Sequence, residues 1–228
     1  MRGDLELQLI ALDGPVAVGK SSVGRQLAGR LGFTFLDTGF LYRAFTWKVL
    51  SAGVSPDDGN ELSQLASITR FDFVSSQKGC LSVLIDGQDA SSEVLCPEVE
   101  ENVALVSKVA GVRKVMVSEQ RRLALGGRVI MAGRDIGTVV LPWAELKIFL
   151  IASIVERANR RYKELLERGV KVDYDSTLSD LKRRDDVDIH RVVSPLKPAE
   201  DAVIINTESL SLEQVVDRIY NLVVELNC

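Results

Sequence analysis

The residues best placed to do chemistry lie near the start of the sequence, where Gly14 to Ser21 follow the pattern G-x-x-x-x-G-K-[ST]. Between a strand and a helix, this pattern is typical of a phosphate-binding loop. Its glycines can turn successive backbone N–H groups inward at a helix start, which makes a concavity for anions. Lys20 adds a point charge, and the Ser21 hydroxyl is an oxygen ligand of the kind that Mg²⁺ accepts. We therefore predict a phosphate site formed by Gly14, Pro15, Val16, Ala17, Val18, Gly19, Lys20, Ser21 and Ser22, with Ser21 as the metal ligand.

A second chemical feature is the repeated placement of arginine beside carboxylates. It occurs in the segments DTGFLYR, GRDIG, ERANRRY and RRDDVDIHR. Phosphoryl transfer depends on positioning and electrostatic stabilisation, and the arginine fork can hold two phosphate oxygens at once. The segment from Glu156 to Arg191 contains ten Lys or Arg residues and nine Asp or Glu residues, and seven of the ten basic residues are arginine. Two solvated helices with ion pairs would have a similar composition. The arginine bias favours a lid that closes on a nucleotide, with Gly169 as its turn.

A phosphate loop alone does not distinguish a switch GTPase, a mechanical ATPase and a small-molecule kinase. A GTPase would carry an Asn-Lys-x-Asp element for guanine, and the sequence has none. Most mechanical ATPases would place an acid at the end of a strand of four apolar residues, whereas Gly133 and Arg134 separate Asp135 from such a strand. The arginines around carboxylates therefore favour a kinase.

The elements that must position these residues are indicated by five apolar segments with helical stretches between them. The segments are LQLIAL, FTFLD, RVIMAG, LKIFLIA and AVIIN. Continuous apolar runs of this length are typical of buried parallel strands, and their alternation with helices predicts a doubly wound α/β sheet with right-handed crossovers. Ligands bind beyond the carboxyl ends of such strands. Those ends are marked by Asp13-Gly14, Asp37-Thr38 and Gly133-Arg134-Asp135.

An inserted subdomain interrupts this alternation between about Phe71 and Val94. The segments RFDFVSS and GCLSVLIDG and the Asp86-Gly87 turn predict antiparallel β structure. Ser55-Pro56 predicts that a short helix starts at Pro56 and runs to about Ile68.

Two further helices are predicted from their faces and ends. Apolar residues at every fourth position after the loop, Val23, Leu27 and Leu31, predict a helix that ends at Gly32. Ser211 and Gln214 form a capping-box pattern ahead of an apolar C-terminal face, which predicts a structural helix.

Composition narrows the class of protein. A chain of 228 residues can form one α/β domain or a domain with an insertion, and its net charge of −4 argues against a broad nucleic-acid-binding surface. Cys80, Cys96 and Cys228 lack metal-ligand spacing, so reduced thiols are expected. The N-terminal segment lacks the pattern of a signal peptide, and no apolar run has the length of a membrane span. We expect a cytoplasmic protein that binds neither nucleic acid nor membrane.

At this point the sequence closely resembles the bacterial cytidylate kinases. The resemblance is carried by DGPVAVGKSSVGRQLAGRLGFTFLDTGFLYRA, AGRDIGTVV, KIFLIASIVERANRRYKELLERG, RRDDVDIHR and SPLKPAEDAVIINT, and it extends from about residue 9 to residue 226. It implies transfer of the γ-phosphoryl group of ATP to CMP or dCMP, with Mg²⁺, by a monomer. It also implies the nucleoside monophosphate kinase fold: a core at 1–55, 100–155 and 192–228, a partly antiparallel monophosphate-binding insertion at about 56–99, and a helical lid at about 156–191.

On the phosphate side, the resemblance implies that Lys20 and its loop hold ATP with the metal. In the lid, Arg157 and Arg161 are expected to clamp the donor, and Arg43 and Arg134 to bind the acceptor phosphate. No strong general base is required, because the acceptor is already an anionic phosphate oxygen near neutral pH. The residues expected to act on the transferring group are Lys20, Arg134, Arg157 and Arg161.

On the base and sugar side, the resemblance implies that Asp135 accepts from the exocyclic amine of cytosine, where uracil would present an oxygen. Arg113 is expected to donate to the acceptor edge of the base, and Asp188 to accept from a ribose hydroxyl with Arg184 orienting it. Asp37 and Asp135 are interpreted as orienting groups. The full set expected around CMP is Thr38, Tyr42, Arg43, Arg113, Arg134, Asp135, Arg184, Asp188 and Arg191.

The sequence departs from the family pattern beside Arg113. A serine that touches the base usually lies farther before the Val-Arg pair than Ser107 does here. On one continuous helix the shorter interval would turn the serine to another face. Either Ser107 reaches the base through a shifted helix, or Ala104 stands in its place.

Two alternatives stay open from sequence. The first is a kinase for another acceptor such as UMP or AMP. The second, from a different class, is a nucleotide-dependent binding or switch module that keeps the loop. Lid arginines argue against the second alternative, because a binding module does not need them. ATP consumption that occurs only when a monophosphate is present would distinguish a kinase from a switch.

Overall fold

The computed structural model describes residues 7–75 and 81–227. Of the three cysteines, Cys96 is a free thiol, while Cys80 and Cys228 lie outside the described residues. The strands are β1 (Leu9–Asp13), β2 (Thr34–Asp37), β3 (Phe71–Ser75), β4 (Leu81–Ile85), β5 (Gln88–Asp89), β6 (Val129–Gly133), β7 (Leu146–Ile151) and β8 (Val203–Asn206). The α-helices are α1 (Lys20–Leu31), α2 (Thr38–Ser51), α3 (Gly59–Ile68), α4 (Pro97–Lys108), α5 (Ala110–Ala124), α6 (Ile154–Glu167), α7 (Tyr174–His190) and α8 (Leu212–Leu226).

The central element is a parallel five-stranded sheet in the order β2-β6-β1-β7-β8. The five predicted strands and the α/β class are confirmed. Register places the strand ends together: Asp13 is opposite Gly133 on one side and Phe149 on the other, and Asp37 is opposite Ala132. The residues expected to do chemistry therefore start at one edge of the sheet, as the rule for open α/β sheets requires.

Helices cover the two faces of this sheet through alternate residues of each strand. On β1, Ile10 and Leu12 belong to the apolar cluster that contains the buried faces of α1 and α8. Leu9 and Ala11 belong to a cluster on the opposite face. Because side chains alternate across a strand, a continuous apolar run is required to bury both faces.

The insertion is a three-stranded antiparallel sheet in the order β3-β4-β5. The predicted Asp86-Gly87 turn joins β4 to β5, and both residues have positive φ, 51° and 82°, which is the turn type that matches strand twist. The β3–β4 connection at 76–80 lies outside the described residues. One apolar cluster joins this sheet to α2, α3, α4 and α5.

The start of α3 corrects one prediction. The helix begins at Gly59, three residues after Pro56, because the Asp58 carboxylate accepts from the N–H groups of Asn60 and Glu61 at 3.0 and 2.9 Å. Asp58, rather than Ser55, therefore satisfies the free N–H groups of the first turn.

Other helix ends follow the sequence. Gly32 ends α1 in the left-handed conformation, and Ser211 and Gln214 form the predicted capping box of α8. Gly169, with φ +74°, lies between α6 and α7. None of the helices within 7–75 and 81–227 is long and apolar enough to cross a membrane.

Candidate active site

The loop between β1 and α1 has the backbone conformation that an anion cradle requires. Gly14 and Gly19 have φ of 148° and 100°, and Ala17 also lies at positive φ, 59°. A side chain at Gly14 would meet the carbonyl oxygen of Leu150 at 2.5 Å, so this position needs glycine for space as well as conformation. Gly19 directly precedes α1, so the loop ends at a helix N-terminus, where N–H groups are free for an anion.

Lys20 is folded back over this loop. Its Nζ donates to the backbone oxygens of Gly14 and Pro15 at 2.7 and 2.6 Å. Burial, reinforced by the nearby charge of Arg134, holds the pKa of Lys20 well below its usual value. An anion in the loop would supply the missing counter-charge and favour the protonated amine.

Ser21 and Asp37 form an oxygen pair beside the loop. The Ser21 hydroxyl donates to Asp37 Oδ2 at 2.5 Å, and Asp37 Oδ1 accepts from the N–H of Gly39 at 2.9 Å. Asp37 therefore caps α2 and orients the predicted metal ligand at the same time.

One cavity lies between the sheet edge, α2, α4, α5 and α7. All nine residues expected around CMP line it, together with Val16 and Lys20 of the loop. Among the described residues, Tyr42 Oη, Arg43 Nε, Arg113 Nε and Arg191 Nη2 are buried without a hydrogen-bond partner, and all four residues line this cavity. Buried polar groups are nearly always paired in native proteins, so this concentration indicates a ligand that supplies the partners.

Arg113 and Asp135, which both line the cavity, form an ion pair between Arg113 Nη2 and Asp135 Oδ2. The two residues are 3 % and 4 % exposed. The Arg113 guanidinium also lies 5.5 Å from the centre of the Tyr42 ring, and Arg191 Nη2 lies 3.8 Å from Asp135 Oδ1. Burial raises the pKa of Tyr42 to about 12, so its hydroxyl stays protonated and can donate.

Asp13 holds the segment that carries Asp135. Its two carboxylate oxygens accept from the N–H groups of Ile136 and Gly137 at 2.9 and 2.7 Å, at the start of a π-helical turn, Ile136–Val140. Burial raises the pKa of Asp13 to about 6. The sequence analysis placed Asp13 at a strand end but did not include it among the site residues. Its position directly before Gly14 of the phosphate loop was the one signal that could have identified it.

Arginines from the end of β6 and from the C-terminal part of α7 also line the cavity. Arg134 Nε pairs with Asp188 Oδ2 at 2.8 Å, and Arg191 Nη1 lies 3.4 Å from Asp188 Oδ1. Arg184 pairs with Glu100 on α4, which no sequence pattern singled out. Asp188 therefore holds two of the predicted acceptor-side arginines.

The two lid arginines expected at the donor differ in position. Arg157 forms a bidentate pair with Asp185 at 3.1 and 2.7 Å, and its Nη1 lies 3.3 Å from the backbone oxygen of Val16 in the loop. Arg161 instead contacts Glu100 at 3.4 Å and Glu164 at 2.8 Å. Arg157 is at the loop, whereas Arg161 is turned toward α4.

Arg160 is a loop contact that sequence reasoning missed. It donates to the backbone oxygens of Val18 and Thr207 at 3.4 and 2.8 Å. The dense ERANRRY segment was the only signal, and it does not say which arginine faces the loop.

The segment before Arg113 is not one continuous helix, because it is broken at Val109. Val109 is extended, with φ −70° and ψ 121°, and separates α4 from α5. Both Ser107 and Ala104 line the cavity, and Arg113 Nη1 donates to the backbone oxygen of Ser107 at 3.3 Å. Ser107 Oγ itself donates back to Ala104.

The chain is similar in sequence to known cytidylate kinases and similar in fold to a shikimate kinase. The cytidylate kinase of Geobacillus sp. (strain WCH70) is 48% identical over 216 residues, which cover 95% of this chain and 96% of that protein. The cytidylate kinase of Caldanaerobacter subterraneus is 44% identical over 92% of both chains. A shikimate kinase structure from Bacteroides thetaiotaomicron shares the fold alone, with a TM-score of 0.50 and 12% identity over 95% of this chain and 98% of that one. The family profile of cytidylate kinases matches residues 10–225, and the chain belongs to that family.

Proposed function

We propose that this protein transfers the γ-phosphoryl group of ATP to CMP or dCMP, giving ADP and CDP or dCDP. The observation that carries the proposal is the cavity in which a buried Arg113–Asp135 pair and four buried polar atoms without a hydrogen bond lie next to the phosphate loop. Such a site can pair with a nucleotide at its base and its phosphate.

Recognition of cytosine is supported by the opposite charges of Arg113 and Asp135. A carboxylate accepts from the exocyclic amine of cytosine, while the guanidinium donates to the acceptor atoms of the same edge. Uracil would present an oxygen to Asp135 and leave a buried group unpaired, which strongly disfavours binding. The unpaired Tyr42 hydroxyl is a further donor on this side.

Binding of the acceptor phosphate is supported by the arginines across the cavity. Arg43, Arg134, Arg184 and Arg191 come from different segments and line the same space. Their guanidinium groups can hold a phosphate and stabilise charge on the transferring group. The second phosphate pKa is near 6, so the attacking oxygen needs no strong base.

The donor would lie in the loop from Gly14 to Ser22, with Lys20 on its phosphates. The Ser21 hydroxyl and the Asp37 carboxylate fit Mg²⁺, because both offer hard oxygen atoms at the side of the loop. When bound, Mg²⁺ neutralises phosphate charge. Arg157, held by Asp185 against the Val16 carbonyl, is placed to contact the donor.

The roles proposed for the segments follow from these positions. We propose that 156–191 acts as the lid and 56–99 as the acceptor-binding insertion on a core of 1–55, 100–155 and 192–228. The lid supplies Arg157 and Arg184, and the insertion ends in the first turn of α4, which starts at Pro97 and lines the cavity.

The test is ADP formation from ATP and Mg²⁺ with CMP, dCMP, UMP, AMP and GMP presented separately. We expect rapid turnover with CMP and dCMP only. Preference for another monophosphate would retain the kinase and overturn the base assignment. Absence of turnover with all five would overturn the proposal in favour of a binding module.

A further inference from the structure

Glu100 is a charged residue that the proposed reaction does not use, and it lies at the centre of an arginine cluster. Its carboxylate is 3.6 Å from Nε of Arg43, 3.4 Å from Nη2 of Arg161 and 3.2 Å from Nη1 of Arg184. Nη2 of Arg184 also donates to the backbone oxygen of Glu100 at 2.9 Å. These arginines belong to α2, α6 and α7, whereas Glu100 belongs to α4. One carboxylate therefore joins four helices.

The charges in this cluster are unbalanced. Three guanidinium groups surround the Glu100 carboxylate, and Arg43 and Arg184 also line the cavity. Burial would raise the pKa of Glu100, but the charges of Arg43, Arg184 and Arg161 outweigh burial and hold it below its usual range. Glu100 is therefore ionised, and the cluster keeps excess positive charge.

We propose that Glu100 is an internal counter-ion of the acceptor-phosphate subsite and competes with the phosphate of the acceptor nucleotide for Arg43 and Arg184. The inference rests on the proposed function. A guanidinium fork that faces a carboxylate can face a phosphate in the same geometry. The phosphate carries more negative charge than the carboxylate near neutral pH, so it can replace Glu100. Without Glu100, the subsite would be more positive and would bind a phosphate more tightly.

The same carboxylate explains the position of Arg161. This arginine was expected beside the donor, but it is held toward α4 by Glu100. A second contact, from Arg168 Nη2 to the backbone oxygen of Leu95 at 3.1 Å, also links the lid to the segment before α4. When an acceptor phosphate displaces Glu100, Arg161 loses one of its two acidic partners and is freer to turn toward the loop.

The test compares Glu100→Gln with Glu101→Gln. Both substitutions remove one negative charge from α4, but Glu101 is exposed and outside the cavity. We expect Glu100→Gln to lower KM for CMP by about three- to tenfold, since a partly buried competing charge is lost. Calorimetric Kd for inorganic phosphate should fall in parallel. Glu101→Gln should change neither quantity.

Unchanged or weaker binding of both CMP and phosphate by folded Glu100→Gln would overturn the proposal, since Glu100 would then support the arginines. Glu100→Asp keeps the charge but withdraws the carboxylate, so it should lower KM for CMP and Kd for phosphate by a smaller factor. This variant decides the question if Glu100→Gln does not fold. A rise in both constants in Glu100→Asp would overturn the proposal. Lack of turnover with CMP in the unsubstituted protein would refute the proposed function. The phosphate titrations need no turnover, so they test Glu100 independently.

Discussion

Replacement of Asp135 by asparagine is the most direct test of the base-reading role proposed for Arg113 and Asp135. The Asp135 carboxylate is buried against the Arg113 guanidinium, with Arg191 at 3.8 Å as a second cation. Asparagine keeps the shape and one acceptor oxygen, but it removes the negative charge between two buried arginines. Removing one partner of a buried ion pair lowers the free energy of unfolding by about 3–5 kcal/mol. Because asparagine retains one acceptor oxygen, we expect the loss to lie at the lower end of this range. We therefore expect Tm to fall by about 6–12 °C for a chain of this size.

The effect on catalysis should depend on the base. Loss of one good base-edge interaction is worth about 1–3 kcal/mol, which corresponds to about 5- to 150-fold in kcat/KM for CMP. An asparagine amide can donate to the oxygen of uracil, so the CMP-to-UMP ratio of kcat/KM should fall further. KM for ATP should stay within about twofold, because Asp135 lies outside the phosphate loop.

The assay is coupled ADP formation with CMP and UMP at varied concentration, at a temperature where the variant is folded. Asp201→Asn is the matched control, because Asp201 pairs with Lys147 at 2.8 Å outside the cavity. It should leave the CMP-to-UMP ratio unchanged. An equal loss with both nucleotides in Asp135→Asn would refute the base-reading role.

Three other predictions concern the loop, the sheet edge and helix packing. Lys20→Ala should lower kcat by at least about 100-fold with an unchanged unfolding transition, because it removes the charge over the loop phosphates; ordinary turnover would refute the phosphate-loop assignment. Because the pKa of Asp13 is raised from 3.8 to about 6, the protonated form is favoured on folding, so acidification from pH 7 to 4 should stabilise the protein by about 2 kcal/mol relative to Asp13→Asn. Urea unfolding of both proteins at the two pH values measures this difference, and a constant difference would contradict it. Gly24→Ala would place Cβ 2.2 Å from the Phe35 ring, so urea unfolding should show a loss of about 1–3 kcal/mol. Gly29→Ala is the control, because its Cβ would meet nothing within 4 Å beyond its chain neighbours and its own helix backbone, and it should be neutral or stabilising. Equal effects of the two substitutions would show that the Phe35 ring moves freely.

Local patterns predicted most of the fold because each depends on neighbouring residues. The apolar runs gave five strands within about two residues of their observed ends, as expected for fully buried parallel strands. The capping box at Ser211, the Asp86-Gly87 turn and the glycine at the end of α1 also act within a few residues. Where two local signals competed, as Ser55-Pro56 and Asp58 do ahead of α3, the side chain that reached the free N–H groups set the helix start.

The site was predictable where its residues form a contiguous motif. The loop from Gly14 to Ser22 and the GRD segment each place their groups through a strand end, so the sheet register brings them together. The sequence left Ser107 and Ala104 as alternatives, and both line the cavity, ahead of a helix break at Val109 that the pattern does not mark.

The sequence by itself determined the strands, the phosphate loop and the residue types around the cavity, since periodicity, glycine conformation and motif spacing are local properties. Only the tertiary structure decided which charges pair. Arg113 meets Asp135, Asp13 holds the π-helical turn, and Glu100 faces arginines from three helices. These partners are separated by 22 to 123 residues in the chain or lie on different helices. A long charged side chain has many possible partners along the sequence, and the packing of the helices selects one of them.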